Sequence, residues 1–386
     1  MCVKGVTEPM YLQHVIERDG AYMARSATYK LDLPKNGILS SLHLFIGGDE
    51  VSGFGSSGGR WRLIDGITRV ELLANASTPI KSMTGREAQV QAFWDSGKVA
   101  ADVWRNYASN TQFASILLNM GRRLNDPYFA LDLSRYNSVT LQVTNDLTSS
   151  EFSDTLSITV LATYLRDVAA GQIKGYLRTE EYRSWLTVKN AWEYNELPTD
   201  LIVRRILLQC DPAHTIANRA DTTFTNLADD IRLAIKTRTN DVYRGSASQY
   251  MRLNHYMAPG EVMTHGLLYA PADVGLSFDV GYPSGWAGIS GSKDGSPSTV
   301  VPTIDPGETA DTVKPESYEA DSPISVFVRG QGYMNTLMVP FDVNPDDPST
   351  WLDPEANKQV TLDVHTRNSD SADNGYNRIV LDRLVP

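Results

Sequence analysis

The sequence predicts an all-β protein with short helices, built from two tandem antiparallel β-sandwiches. Three observations favour this fold class. Segments of alternating apolar and polar residues recur along the 386 residues, and this period is that of a half-buried strand. Turn residues separate the segments at intervals too short for βαβ units, which argues against a parallel sheet. The order of motifs in the first half of the chain also returns in the second half, which indicates an internal duplication.

The duplication rests on six matches that keep the same order in both copies. Residues 33–38, LPKNGI, return as residues 197–202, LPTDLI, at an offset of 164. The offset is 160–164 in the first half of each copy and 220 or 221 in the second half, so the second copy carries one insertion between roughly Leu253 and Thr336. Unrelated β-rich segments that share a valine–threonine alternation are the alternative explanation. The other five matches are Arg69–Leu72 with Arg232–Ile235, Gly85 and Gln89 with Gly245 and Gln249, Leu117 with Leu337, Val139–Thr144 with Val360–His365, and Val160–Leu161 with Val380–Leu381.

The first copy opens with residues 1–26, which are weakly patterned and predict an ordered arm or a short helix around Tyr11–Glu17. Thr84 and Glu87 form a capping-box pattern, in which the hydroxyl and the carboxylate satisfy orphan amides at the start of a helix. Apolar residues follow from Val90 at helical spacing, so we expect a helix here. Strands are predicted where apolar and polar residues alternate, at 29–33, 42–46, 67–73, 115–120, 139–144 and 156–165.

The connection between the copies is rich in aromatic residues, unlike a flexible linker, and we predict that it packs. The second copy then repeats the order of strand, loop, strand and short helix, with the helix around Ser246–Leu253. Its insertion is rich in Gly, Ser and Pro, and a loop of that length inside a compact domain is usually functional. The predicted organisation is an arm (1–26), a first sandwich (27–167), a packed linker (168–192) and a second sandwich (193–386) with the insertion at 254–335.

Composition limits the classes of function. The net charge of −11 argues against a protein that coats nucleic acid, and we expect no direct sequence-specific contact with nucleic acid. The two cysteines, Cys2 and Cys210, do not suggest a structural disulfide, which favours a reducing compartment. No apolar run of 18 residues occurs, so no membrane span is expected. The first nine residues lack the apolar core of a signal peptide, so we expect intracellular synthesis without export.

Metal-binding patterns are weak. The six histidines form no pair at metal-ligand spacing, and no zinc motif occurs. Asp342, Asn344 and Asp346 resemble the opening of a calcium loop, but Asp347 stands where such a loop needs glycine, and Pro345 stiffens the segment. An acidic turn is therefore the favoured interpretation, with calcium as the weaker candidate. Residues 369–375 are more typical of a hairpin turn.

Catalytic patterns are also weak, and we expect neither catalytic residues nor a cofactor. Cys210 lies on an alternating segment and indicates a small core residue rather than a reactive thiolate. The pattern Gly53-x-Gly55-x-x-Gly58 matches a dinucleotide fingerprint but lacks a βαβ context, so a loop is favoured. The basic pairs at 122–123 and 204–205 indicate either solvated surface or contact with an acidic neighbour, and the sequence does not decide between these.

Two tandem sandwiches, each with a helix after the fourth or fifth strand, a packed linker and a long excursion in one copy resemble the double jelly-roll major capsid proteins. These proteins build tailless icosahedral viruses, many with an internal membrane, and the adenovirus hexon is a large relative. The resemblance covers residues 27–386 and rests on architecture. Its closest local features are LPKNGILSSLHLFI and LPTDLIVRRILLQC, the first two strands of each copy.

The resemblance implies a homotrimer whose six jelly rolls form a pseudo-hexagonal capsomer in the virion capsid, after synthesis in the host cytoplasm. Its partners would be neighbouring capsomers and penton or minor capsid proteins. The insertion 254–335 would form an outward tower or a clamp between subunits, and residues 1–26 would face an internal membrane or a neighbouring capsomer. The chain length is similar to that of the smaller members from bacterial or archaeal viruses.

Two other functions stay open at this point. One is a virion or adhesive protein that binds a receptor or glycan, in which Trp61, Tyr282 and Trp286 would stack on sugars; local packing is the favoured interpretation of these residues. The other is an amidase-type enzyme on two jelly rolls, which the cysteine content and the N-terminal sequence disfavour.

Overall fold

The computed structural model describes most of both copies and the strands of the insertion. The described residues are 10–50, 63–102, 105–106, 111–148, 152–169, 171–211, 227–257, 262–269, 276–277, 287–293, 300–303, 312–315, 323–330, 332–342, 344–368 and 375–386. Several residues singled out above lie outside this part of the chain: Cys2, the Gly53–Gly58 motif, Trp61, Tyr282, Trp286 and residues 369–374 of the predicted hairpin turn.

The first copy begins with a strand rather than a helix. Its elements are β1 (Tyr11–Ala24), β2 (Ser26–Asp32), β3 (Ile38–Glu50), β4 (Ile67–Ala74), β5 (Thr78–Met83), α1 (Gly85–Ser96), β6 (Arg105–Asn106), β7 (Thr111–Asn119), β8 (Leu131–Asp132), β9 (Val139–Asp146) and β10 (Phe152–Arg166). The helix predicted around Tyr11–Glu17 is therefore wrong. β1 pairs along its length with β10, and most of its side chains are exposed. Burial therefore does not require apolar and polar residues to alternate in its sequence.

The second copy repeats the same elements around the insertion. They are β11 (Tyr176–Leu186), β12 (Trp192–Glu196), β13 (Ile202–Asp211), β14 (Ala228–Ile235), β15 (Asn240–Ser246), α2 (Ala247–Met257), β22 (Thr336–Pro340), β23 (Thr361–Thr366) and β24 (Tyr376–Val385). The insertion adds β16 (Val262–Tyr269), β17 (Leu276–Ser277), β18 (Ala287–Lys293), β19 (Val300–Thr303), β20 (Thr312–Pro315) and β21 (Pro323–Gly330). Strand β6 of the first copy pairs with β16, so both copies contribute to this outlying sheet.

Each copy folds as a sandwich of two four-stranded layers. In the first copy β1-β10-β3-β7 packs on β2-β9-β4-β5, with Leu44 and Val70 in the shared core. In the second copy β11-β24-β13-β22 packs on β12-β23-β14-β15, with Leu208 and Leu233 in the core. Eight strands in this order form a jelly roll, so the predicted fold class is confirmed. In the described part of the chain, no helix is long and apolar enough to cross a membrane.

Strand pairing reveals that the duplicated unit starts earlier in the chain than the sequence matches indicate. β1 pairs with β10 as β11 pairs with β24, and Tyr11 opposite Arg166 corresponds to Tyr176 opposite Val385. Most of the predicted arm and part of the predicted linker are thus the same element in two copies. The division of the chain at residues 27, 168 and 193 stays a prediction.

Four of the six matches are displaced. Val70 lies opposite Val143 and Ile231 lies opposite Val364, so Val70 corresponds to Ile231 rather than to Leu233, and Gly85 at the start of α1 corresponds to Ala247 rather than to Gly245. These two matches are wrong by two residues, and two others are wrong by one residue. Leu44 lies opposite Ile116, and its counterpart Leu208 lies opposite Leu337, so Ile116 rather than Leu117 corresponds to Leu337. The match of Val160–Leu161 with Val380–Leu381 is displaced in the same way, because Val160 pairs with Leu44 and Ile379 pairs with Leu208. A slip of one residue exchanges the two faces of a strand, so only the structural register identifies equivalent surfaces.

Candidate assembly interface

The two jelly rolls are joined through one pair of strands. β5 of the first copy lies parallel to β11 of the second, with Thr179 opposite Lys81 and Glu180 opposite Ser82. This pairing links two layers into one eight-stranded sheet, in the order β2-β9-β4-β5-β11-β24-β13-β22. The copies therefore share backbone hydrogen bonds as well as side-chain contacts.

Helix α1 lies over this joint and contacts both copies. Thr84 caps its first turn, and Glu87 completes the capping box by accepting the Thr84 N–H at 2.7 Å, as the sequence predicts. Gly97 ends the helix in a left-handed conformation with φ 71°. The helix packs on its own jelly roll, and the Phe93 ring also packs against the tilted ring of Tyr333 in the second copy, with ring centroids 5.1 Å apart.

One stripe of α1 faces the second jelly roll. It consists of Glu87, Gln91 and Asp95, which are four residues apart and therefore lie on the same side of the helix. Gln91 donates from Nε2 to the Thr179 hydroxyl at 2.9 Å. Asp95 accepts from Arg204 at 2.9 Å and from Arg205 at 2.7 Å. We call α1, β5 and the outer side of β11, β13 and β24 the junction.

The junction contains a buried network of ion pairs. Arg204 contacts Asp382 at 3.0 Å and Asp342 at 2.8 Å, in addition to Asp95. Lys81 donates to the Thr179 hydroxyl at 2.8 Å, and that hydroxyl donates to Asp382 at 2.9 Å. The six charged members of the network comprise three carboxylates and three bases, so their charges balance. They are Asp95, Asp342, Asp382, Lys81, Arg204 and Arg205.

Burial of this network changes the ionisation of its members. Desolvation lowers the pKa of Lys81 to about 8, although Asp382 and Asp95 oppose the shift. Burial would raise the pKa of Asp382, but Arg205 and Arg204 outweigh it and hold that pKa below its usual value. Burial would likewise lower the pKa of Arg204, yet the surrounding carboxylates raise it. The charges therefore stabilise one another in place of water.

The burial of three arginines decides between the two sequence interpretations of the basic pairs. Arg204, Arg205 and Arg122 are only 6%, 2% and 4% exposed, so solvated surface is wrong for them, whereas Arg123 is exposed. The acidic neighbours belong to the same chain. The sequence could not reveal this burial, because the outer face of β13 is covered by a helix from the other copy.

The three calcium candidates lie near these arginines. Asp342 accepts from Arg204, and Asp346 accepts from Arg122 at 2.7 Å. The side chain of Asn344 accepts the backbone N–H of Asp346 at 3.3 Å. Among the described residues, no group of three or more metal-ligating side chains is positioned to hold a metal. Arginine thus occupies two of the three candidates, and the calcium site stays a prediction.

Glu87 carries an unusual ionisation at the edge of the junction. Burial, together with the charge of Glu181 on β11, raises the pKa of Glu87 to about 8 against the opposing effect of Arg378. The carboxyl is therefore largely protonated at neutral pH. One acidic residue of the α1 stripe thus meets the second jelly roll as an uncharged group.

Among the described residues, no helix covers the equivalent face of the first jelly roll. This outer face is the side of β1-β10-β3-β7 that points away from the core, and its exposed side chains include Ile16, Tyr22, Phe45 and Phe113. Tyr22 is 82% exposed and Phe113 is 49% exposed. His43 contacts the Phe45 ring at a centroid distance of 4.0 Å, and burial lowers the pKa of His43, so its ring is neutral near pH 7. Exposed aromatic and aliphatic side chains grouped on one face are typical of an interaction surface.

Helix α2 is the counterpart of α1 and is also partly uncovered. It packs on the second jelly roll through Tyr250 and Met251. Asn254 bonds to both backbone groups of Met338 on the edge strand β22, at 2.6 and 2.9 Å. Leu253 and Tyr256, in contrast, point away from the jelly roll, and Tyr256 is 85% exposed.

Cys210 lies on β13, fully buried in the second core, where the sequence placed it as a small core residue. The residues of α1 that form the junction were not recognised from the sequence. A stripe of Glu, Gln and Asp on a helix usually indicates a solvated face, and only the position of the second copy identifies it as buried.

Comparison with known proteins confirms the fold. Searches with protein-family models and against curated proteins find no match. Among solved structures, the chain is similar to the major capsid protein of Sulfolobus turreted icosahedral virus, with a TM-score of 0.58 at 11% identity over 98% of this chain and 97% of that one. It is also similar to the PBCV-1 virus capsid, with a TM-score of 0.59 at 9% identity over 97% and 94% of the chains. The major capsid protein P2 from bacteriophage PM2 aligns with a TM-score of 0.52 at 9% identity over 97% and 98%.

These structures share the double jelly roll with this chain over nearly its whole length. The resemblance drawn from the sequence is therefore confirmed at the level of the fold. At such low identity, the likeness establishes the architecture of the chain, and function has to be argued from its surfaces.

Proposed function

We propose that this chain is the major capsid protein of an icosahedral virus and that it forms homotrimeric, pseudo-hexagonal capsomers. The observation that carries the proposal is the junction, which fixes two jelly rolls of the same strand order side by side in one chain. Three such chains supply six similar units, which is what a six-sided tile requires. Solved capsid proteins with the same architecture support this function.

The surface chemistry agrees with assembly into a shell. The net charge of −11 suits a protein that does not coat nucleic acid directly. The exposed apolar outer face and the exposed residues of α2 are the kind of surface that self-association covers. We propose that neighbouring capsomers and penton or minor capsid proteins are the partners, and that the virion is the location after synthesis in the host cytoplasm.

Two segments receive assembly roles within this proposal. The insertion 254–335 would form a tower or a clamp between subunits. Residues 1–26 would face an internal membrane or a neighbouring capsomer; since Tyr11–Ala24 belongs to the sheet, this role would fall to the residues before it. We expect no enzymatic activity.

Mass photometry and negative-stain electron microscopy of the purified chain test the proposal. We expect particles of three chains with a hexagonal outline, and closed shells under assembly conditions or in virions. A chain that stays monomeric at micromolar concentration would contradict it. A glycan array tests the receptor-binding alternative, and strong specific binding by a monomer would favour that function instead.

A further inference from the structure

We propose that helix α2 of one chain docks on the outer face of the first jelly roll of a neighbouring chain. In the same contact, β15 of the chain that supplies α2 would pair with β1 of the neighbouring chain. This inference rests on the proposed homotrimer and identifies the residues that close it. The contact between chains would repeat the geometry of the junction within each chain.

The first argument is that equivalent faces differ in coverage. In the second jelly roll, Leu207 lies opposite Val380 on one side and Met338 on the other, and all three are buried in the same cluster as Phe93 of α1. In the first jelly roll, the same three places are taken by a row of residues that are only half-buried. That row is His43, Leu161 and Leu117. Among the described residues, the first jelly roll thus has the equivalent outer face but no helix that covers it.

The second argument is that α2 presents the matching stripe. Strand pairing and the helix starts relate α2 to α1 at an offset of 162. The α1 stripe, which faces the second jelly roll, therefore corresponds to Gln249, Leu253 and Met257. All three are exposed. Helix α2 thus has a stripe of residues with the same spacing as the α1 contact, and among the described residues nothing covers this stripe.

The third argument concerns strand edges. β5 and β11 pair within the chain, and their counterparts β15 and β1 each have one partner strand among the described residues. An exposed edge offers unpaired N–H and C=O groups to another chain. The register of the junction, Lys81 opposite Thr179, places Tyr243 opposite His14 between chains. One contact between two chains would therefore complete a second eight-stranded sheet.

The two interfaces would differ in chemistry. Glu181, which faces Glu87 in the junction, is replaced on β1 by Ile16. Arg205 is replaced on β3 by Ser41, and the α2 stripe has Leu253 and Met257 where α1 has Gln91 and Asp95. The charged side chains of the junction are thus replaced by uncharged ones, most of which are apolar. Burial of apolar surface would drive the association between chains.

Substitution of the α2 stripe tests the proposal. Leu253→Asp introduces a charge at the centre of the contact, and we expect at least a tenfold rise in the concentration at which half of the chains are trimeric. Val188→Asp is the matched control, since Val188 is 62% exposed on the loop after β11 and lies outside the proposed contact. Mass photometry over a dilution series measures both, with circular dichroism to compare their folding.

Cysteine cross-linking tests the same contact without disturbing the fold. Gln91 reaches Thr179 through the length of its side chain in the junction, so the equivalent pair between chains, His14→Cys with Leu253→Cys, should be joined by a short bifunctional thiol reagent. In a Cys2→Ser background, we expect cross-linked dimers and trimers on a denaturing gel from the paired variant, and monomers from each single variant. A trimer that survives Leu253→Asp and gives no cross-link would overturn this inference alone. A wild-type chain that is monomeric throughout would overturn both this inference and the proposed function.

Discussion

Helices α1 and α2 occupy equivalent places in the two jelly rolls but have opposite surfaces. α1 is buried on nearly every side, and its outward stripe is polar and engaged with arginines of the second copy. α2 is buried on one side, and its outward stripe includes exposed apolar residues. The comparison shows that α1 covers a sheet of the other jelly roll in its own chain, whereas the equivalent stripe of α2 is exposed. In the proposed trimer, that stripe would cover the equivalent sheet of a neighbouring chain.

The largest expected effect comes from removing one of the two carboxylates that both arginines of the junction share. Arg204 and Arg205 each pair with Asp95 and with Asp382 in a dry site, and Asp95→Ala leaves the buried network with one positive charge in excess. We expect a loss of about 3–5 kcal/mol in the free energy of unfolding, because an uncompensated buried charge is costly. Urea denaturation measures the change.

The control for this variant is an ion pair at the surface of the second copy. Asp241 contacts Arg232 at 2.7 Å, and both side chains are partly exposed. Asp241→Ala should cost less than ~1 kcal/mol. Equal losses from the two variants would mean that the junction network does not hold the jelly rolls together.

The next effect is a pH dependence that α1 has and α2 lacks. Because the folded pKa of Glu87 is about 8 against 4.5 for the free side chain, the folded state holds a proton that the unfolded state releases. Stability should therefore fall as the pH rises from 4.5 to 8. Glu87→Gln should remove this fall and stabilise the protein at pH 9 by a few kcal/mol, at ~1.4 kcal/mol per pKa unit.

Glutamine is a matched replacement here, since it can still complete the capping box, and α2 carries Gln249 at the corresponding place. Denaturation at pH 4, 7 and 9 provides the measurement. Parallel profiles for the two proteins would show that Glu87 does not cause the dependence.

The smallest effect concerns the start of α1. Thr84→Ala removes the hydroxyl that accepts the Glu87 N–H at 3.2 Å, and we expect a loss of ~1 kcal/mol. Thr84→Ser retains the acceptor and should be nearly neutral. Thermal unfolding compares the two, and a neutral alanine variant would mean that packing against both jelly rolls, rather than capping, fixes the helix.

Patterns that depend on local burial were readable from the sequence. The alternating strands are half-buried within their own sandwich, and the capping box of Thr84 and Glu87 is a local device, so both were predicted. β1 was not, because its side chains are mostly exposed and no alternation results. The register slip at Leu117 had the same origin, since apolar residues occupy both faces of β7.

The junction could not be predicted because its partners are distant in the sequence. Arg204 and Asp95 are 109 residues apart, and each on its own looks like an ordinary surface charge. Only the packing of one copy on the other turns these charges into a buried network. The candidate assembly surface was hidden for a related reason: its recognition needs the correct equivalence between copies, which the displaced matches obscured.

The pairing of β11 with β24 also sets an order of events during synthesis. The strands of the first sandwich, β1 to β10, are all available once residue 166 has been made, so that unit can fold early. The second unit needs β24, which begins at Tyr376 and supplies Asp382 to the junction network. The polar stripe of α1 therefore stays in contact with water until β24 has been synthesised, and the junction closes only after the strands of both jelly rolls have been made.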